Sequence, residues 1–119
     1  MSENVYWVIE LAVSPDSFED LKTLNAELVE ATRKNEPGML DNHWAISDDR
    51  QACHIYERFQ DSAAVVSHLQ WFGPNFSERF MKILKPTRFV VYGTPSVEVK
   101  DAIAEFNPVY MAPLGGFRR

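Results

Sequence analysis

The stretch that most constrains this chain is residues 52–72, ACHIYERFQDSAAVVSHLQWF, in which a strand-like run passes into a helix-like one across Asp61. Cys53 and Ile55 alternate with His54 and Tyr56, the two-residue period of a β-strand with unlike faces. Asp61 stands where a helix N-cap belongs, and Val65, Leu69, Phe72 and Phe76 follow at helical spacing. His68 is one position off Leu69, so its imidazole borders the apolar stripe. A titratable ring beside aromatic residues is the first candidate for chemistry.

The remaining chain supplies partners for this unit. Val5 to Val13 is β-branched and aromatic and stops at Ser14-Pro15, which predicts a first strand. A helix is expected from Asp16, with Glu19 at capping-box spacing and Phe18, Leu21, Leu24 and Leu28 on one stripe. Pro37-Gly38 forces a turn before a second strand over 40–47, and Asp48 to Gln51 forms a polar connection into the third. After Gly73-Pro74 the helical pattern resumes to about Lys85, and Pro86 is expected to end it before a fourth strand, Arg88 to Tyr92. Ser96 is placed to cap a short terminal helix, and the tail from Asn107, broken by two prolines and two glycines, is expected to be irregular although it carries Tyr110, Met111, Leu114 and Phe117.

At 119 residues the chain reads as one domain that buries roughly 65% of its unfolded surface. A net charge of −5 opposes nucleic acid as a partner, because phosphate binding needs a positive field. Cys53 is the only cysteine, so no internal disulfide or cysteine-rich metal site can form. No run approaches the ~18 apolar residues of a membrane span. The N-terminal residues lack the pattern of a secretion signal, so a cytoplasmic protein is expected.

The element order βαββαβ followed by a terminal helix is that of an α+β, ferredoxin-like fold, with both long helices on one face of an antiparallel sheet. Trp7, Ile9, Leu11, Trp44, Ile46, Cys53, Ile55, Phe89 and Val91 form dry faces suited to packing under those helices. The opposite faces carry Tyr6, Val8, Glu10, His43, His54, Tyr56, Arg88, Val90 and Tyr92, and no element remains to cover them. Such a surface calls for a partner, and a two-fold homodimer with sheets face to face, enclosing a small apolar chamber on their bare side, is expected.

The runs Glu36-Pro37-Gly38-Met39-Leu40, then His54-Ile55-Tyr56-Glu57-Arg58-Phe59, then Asp61 and Ala63-Ala64 leading to Ser67-His68-Leu69, resemble the pattern of the antibiotic biosynthesis monooxygenase domain over about residues 5–93. The resemblance implies a dimeric α+β barrel, with the helix and tail of residues 94–119 as additions. It also implies a choice of activities: cofactor-free oxygenation of phenols and quinols, haem degradation, isomerisation, or ligand binding alone. The haem-degrading branch has its tryptophan before the helix histidine, whereas Trp71 follows His68, so neither haem nor any other cofactor is expected.

Cofactor-free oxygenation needs a base, donors for an oxyanion and a dry cavity. His68 is the candidate base, and Tyr6, His43, His54, Tyr56, Trp71, Arg88 and Tyr92 are candidates for holding a small aromatic or quinol-like substrate. Each has a plainer structural reading. His68 can be a half-buried helix histidine bonded to a neighbouring carboxylate or carbonyl, the tyrosines interface packing, Trp71 the filling of a bend, and His43 with His54 cross-strand partners. Two histidines with Glu10 as the one carboxylate fall short of a metal centre, and none is expected. Glu57 and Arg58 read as an ion pair at the surface or dimer interface. The rival functions are a non-oxidative isomerase or lyase and a non-catalytic small-molecule-binding protein.

Overall fold

A computed structural model describes residues 3–119. The elements are β1 (Val5–Val13), α1 (Phe18–Asn35), β2 (Met39–Ile46), β3 (Ala52–Phe59), α2 (Ser62–Phe72), α3 (Glu78–Ile83), β4 (Leu84–Gly93), α4 (Val97–Ile103) and β5 (Val109–Met111). The sheet order is β2-β3-β1-β4-β5. The first four strands pair antiparallel, and β5 joins β4 in parallel. This is the ferredoxin-like α+β fold the element order predicts.

Local chemistry sets most of the boundaries. Asp61 caps α2 through its side chain, which accepts from the Ala64 amide at 2.9 Å, and Ser96 caps α4 by accepting from Val99 at 3.2 Å. The expected capping box at Asp16 does not form. Asp16 adopts a positive φ of 59° in the turn after Pro15, which delays α1 to Phe18, and its N-cap Ser17 makes no side-chain cap. Gly93 has φ 98°, and a Cβ there would meet the Asn4 carbonyl oxygen at 2.6 Å. Only glycine therefore lets the end of β4 pass the start of β1.

Two expectations in the second half are corrected. The helix after Gly73-Pro74 opens as a π-helical segment, Gly73–Ser77, and ends at Ile83. Pro86 then lies inside β4, at the register shift opposite Leu11, where the ladder is irregular and a missing amide hydrogen is tolerated. The tail is not wholly irregular, since Val109, Tyr110 and Met111 pair with Val90, Val91 and Tyr92. Its apolar, β-prone residues complete the edge of the sheet.

The interior is divided. One cluster packs Leu11, Cys53, Ile55 and Leu84 of the sheet under Leu21, Leu24 and Leu28 of α1 and Phe80 and Ile83 of α3. The other packs Val5, Trp7, Phe59, Phe89 and Val91 under Val65 of α2 and Val99 and Ile103 of α4. Ile9 touches both. Burial pushes the Cys53 thiol up to about 11, so it stays protonated as a small core residue. Ile46, expected on the dry face, is 42% exposed, since it is the last residue of the edge strand β2.

Candidate functional site

The seam between the two clusters is a cavity of about 460 Å³ on the helical side of the sheet. Its size suits a small organic molecule, for which pockets run ~300–1,000 Å³. Trp7, Ile55 and Phe89 of the strands face Phe72 and Phe80 of the helices across it, and Phe106, just past α4, closes one edge. The ionisable groups on its wall are Glu57, His68 and Glu105.

His68 is buried at 5% exposure rather than lying at the border of the stripe. Its Nδ1 stands 2.8 Å and 3.0 Å from the two carboxylate oxygens of Glu36. A carboxylate can only accept, so Nδ1–H donates. The Glu36-Pro37-Gly38 run is thereby explained residue by residue. Glu36 ends α1 and supplies the carboxylate, Pro37 stops the helix, and Gly38 allows the turn against α2, where an added Cβ would meet Ala64 Cβ at 2.7 Å. Burial on its own would depress the imidazole's pKa, but the Glu36 hydrogen bond and the charges of Glu57 and Glu36 outweigh it and hold the group above the ordinary histidine value. Among the described residues no buried side-chain nitrogen or oxygen lacks a partner. Nε2 forms no hydrogen bond to a described residue, and His68 is one of the residues that line the cavity.

Glu57 differs from its expected place. It is 7% exposed, and its Oε1 accepts from Trp7 Nε1 at 2.8 Å. Its Oε2 lies 3.5 Å from Asn42 Nδ2, and Asn42 Oδ1 accepts from Trp44 Nε1 at 2.8 Å. Arg58, on the other face, pairs with Asp41 at 2.6 Å instead. The alternation Cys53, Ile55, Glu57, Phe59 carried the signal, since it puts the carboxylate on the dry face.

The sheet separates His68 from most of the other candidates. Tyr6, His43, His54, Tyr56, Arg88 and Tyr92 lie on the bare face, which alternation directs away from the cavity. There Tyr6 stacks on Tyr92 with centroids 5.0 Å apart, and His43 stacks on Tyr56 at 6.1 Å. Glu10 sits between His54 and Arg88, 3.9 Å from each. His43 pairs in register with Tyr56, and His54 with Ala45 and Glu10, so the two histidines are not cross-strand partners. Trp71 does not line the cavity; it packs on Phe76 at 5.4 Å and fills the bend at Gly73. Among the described residues no group of three His, Cys, Asp or Glu side chains is placed to hold a metal.

The fold is shared with MupZ from Pseudomonas fluorescens, at 20% identity and a TM-score of 0.86 over 100% of this chain and 91% of that one. Rv0793 from Mycobacterium tuberculosis matches at 21% identity and TM-score 0.63 over 74% of this chain and 91% of its own. SnoaB from Streptomyces nogalater, a cofactor-independent oxygenase, matches at 13% identity and TM-score 0.65 over 81% of this chain and 97% of its own. A search of the curated proteins finds no match. The sequence model of the antibiotic biosynthesis monooxygenase domain matches residues 4–71, which span β1 to α2 and include Glu36, Glu57 and His68. The chain belongs to the antibiotic biosynthesis monooxygenase family.

Proposed function

We propose that this protein is a cofactor-independent monooxygenase acting on a small aromatic, quinol-like compound bound in the cavity between sheet and helices. The observation that carries the reading is the His68–Glu36 pair: a buried imidazole fixed through Nδ1 on the wall of an aromatic-lined space, its Nε2 uncommitted among the described residues. Neutral Nε2 takes the substrate's hydroxyl proton, and Glu36 stabilises the imidazolium that results. The electron-rich anion then reacts with dioxygen. For a phenol oxidised to a quinone, one oxygen atom enters the product and the other leaves as water, so the substrate supplies all four electrons that reduce dioxygen. The apolar wall keeps bulk water from the anion. Family membership and the fold shared with SnoaB support this reading.

Dioxygen uptake with a panel of hydroquinones tests it, and His68→Ala is expected to abolish that uptake. Turnover without dioxygen consumption would instead favour a non-oxidative isomerase or lyase. That reading draws support from the same wall, whose ionisable groups Glu57, His68 and Glu105 are all proton carriers.

We further propose that the bare face of the sheet meets a second copy of the chain. Two features support this: the stacked tyrosines, and the tail side chains Leu114 and Phe117 at 103% and 83% exposure. A reducing cytoplasm suits the free Cys53 thiol. No helix among the described residues is long and apolar enough to cross a membrane.

A further inference from the structure

We propose that Glu57 determines which ligands the cavity accepts: its carboxylate takes a second hydrogen-bond donor from the ligand and bars ligands that carry their own negative charge. The inference rests on the reading of the cavity as the substrate site, and it concerns a residue on the wall other than His68.

The hydrogen bonds around Glu57 run one way. Trp44 donates to Asn42, Asn42 reaches Glu57, and Trp7 donates to Glu57 from the other side. Both indole N–H groups are thereby committed within the protein, and the network ends on an acceptor. A carboxylate offers about four lone-pair positions. Glu57 uses one on Trp7 and one on the long contact from Asn42, which leaves capacity for a donor arriving from the cavity. In a dry, aromatic surrounding that bond is stronger than it would be in water.

The charge on the wall gives the same answer. Among the described residues neither lysine nor arginine lines the cavity. The cation His68 can carry is matched by Glu36 behind it, which leaves the buried carboxylate of Glu57 to set a negative field, with the exposed, solvent-screened Glu105 at the rim. An anionic ligand would lose its hydration there without gaining a counter-charge. The ligand class that fits is an uncharged aromatic with two separate donors, one addressed to His68 Nε2 and the other to Glu57.

Trp7 and Trp44 line the cavity, so binding can be read from tryptophan fluorescence under anaerobic conditions, where turnover is arrested. The probes are a dihydroxynaphthalene, its monomethyl ether and a hydroxynaphthoic acid, each titrated into the wild type and Glu57→Gln. The wild type is expected to bind the diol roughly tenfold or more tightly than the ether, the effect of one hydrogen bond to a charged group, and to reject the acid. Glu57→Gln should bring the diol and ether together and admit the acid. A wild type that binds ether or acid as tightly as the diol overturns the proposal, and this arm stands even if the variant fails to fold. Diol selectivity without dioxygen uptake would overturn the oxygenase reading and leave the role of Glu57 intact. Uptake without diol selectivity would do the reverse.

Discussion

Trp7 and Glu57 are directly opposed on β1 and β3, and the indole Nε1 donates to the carboxylate across 2.8 Å while both residues are almost wholly buried. A carboxylate inside an apolar layer is tolerable only while its acceptor positions are occupied. Trp7→Phe keeps most of the ring and removes the donor, leaving Glu57 with the 3.5 Å contact from Asn42. The expected loss of stability is about 1–3 kcal/mol, read as a lower urea midpoint. Asn42→Ala should cost less. Equal midpoints for Trp7→Phe and the wild type would show that the bond contributes nothing.

The His68–Glu36 pair predicts a pH dependence of known sign. The histidine's pKa is raised in the folded protein, so its contribution to stability is complete below the unfolded value near ~6.5 and fades as pH climbs through the native one. In Glu36→Gln, burial is opposed by the charge of Glu57 without that of Glu36, and the pKa should fall. Titration of the His68 ring protons by NMR checks this directly. In the proposed reaction, the acidic limb of the rate profile should move to lower pH in the same variant. A titration point unchanged by the substitution would show that Glu36 does not control the imidazole.

Gly38→Ala tests the turn that delivers Glu36. The new methyl would stand 2.7 Å from Ala64 Cβ, so α2 or the turn must shift. A destabilisation of about 1–3 kcal/mol is expected, the range for overpacking a fitted interior. The displaced helix carries His68, so the imidazole pKa should also fall toward its ordinary value. Wild-type melting with an unperturbed histidine would mean that the contact relaxes freely.

Sedimentation velocity tests the proposed pairing of two copies. The full chain is expected to run as a dimer at micromolar concentration, and a chain ending at Phe106 should dissociate more readily because it lacks β5, Leu114 and Phe117. A monomer at every concentration would remove the proposal.

What could be read in advance was what is encoded locally. Asp61 and Ser96 cap their helices because an N-cap needs only a side-chain oxygen and an amide a few residues on. The first four strands and most of their faces followed from alternation, and the family from the Glu36-Pro37-Gly38 and His68-Leu69 runs. Asp16 misled because a positive φ at one turn residue moved the start of α1. The cavity was expected on the bare face and lies on the helical one, since it arises where two clusters fail to merge, a property of how α1 and α3 sit relative to α2 and α4. Glu57 was legible in principle. Its neighbour Arg58 suggested an ion pair, but adjacent residues on a strand face opposite ways.

Asn107, at φ 51°, joins Phe106, which walls the cavity and contacts Phe89 at 6.5 Å, to the strand that begins two residues later. Chamber and sheet margin are therefore consecutive links of one short tether. The Phe106 ring is thus held on one side by Phe89 and, three residues on, by the pairing of β5 with β4, so the same few residues finish both the chamber wall and the sheet.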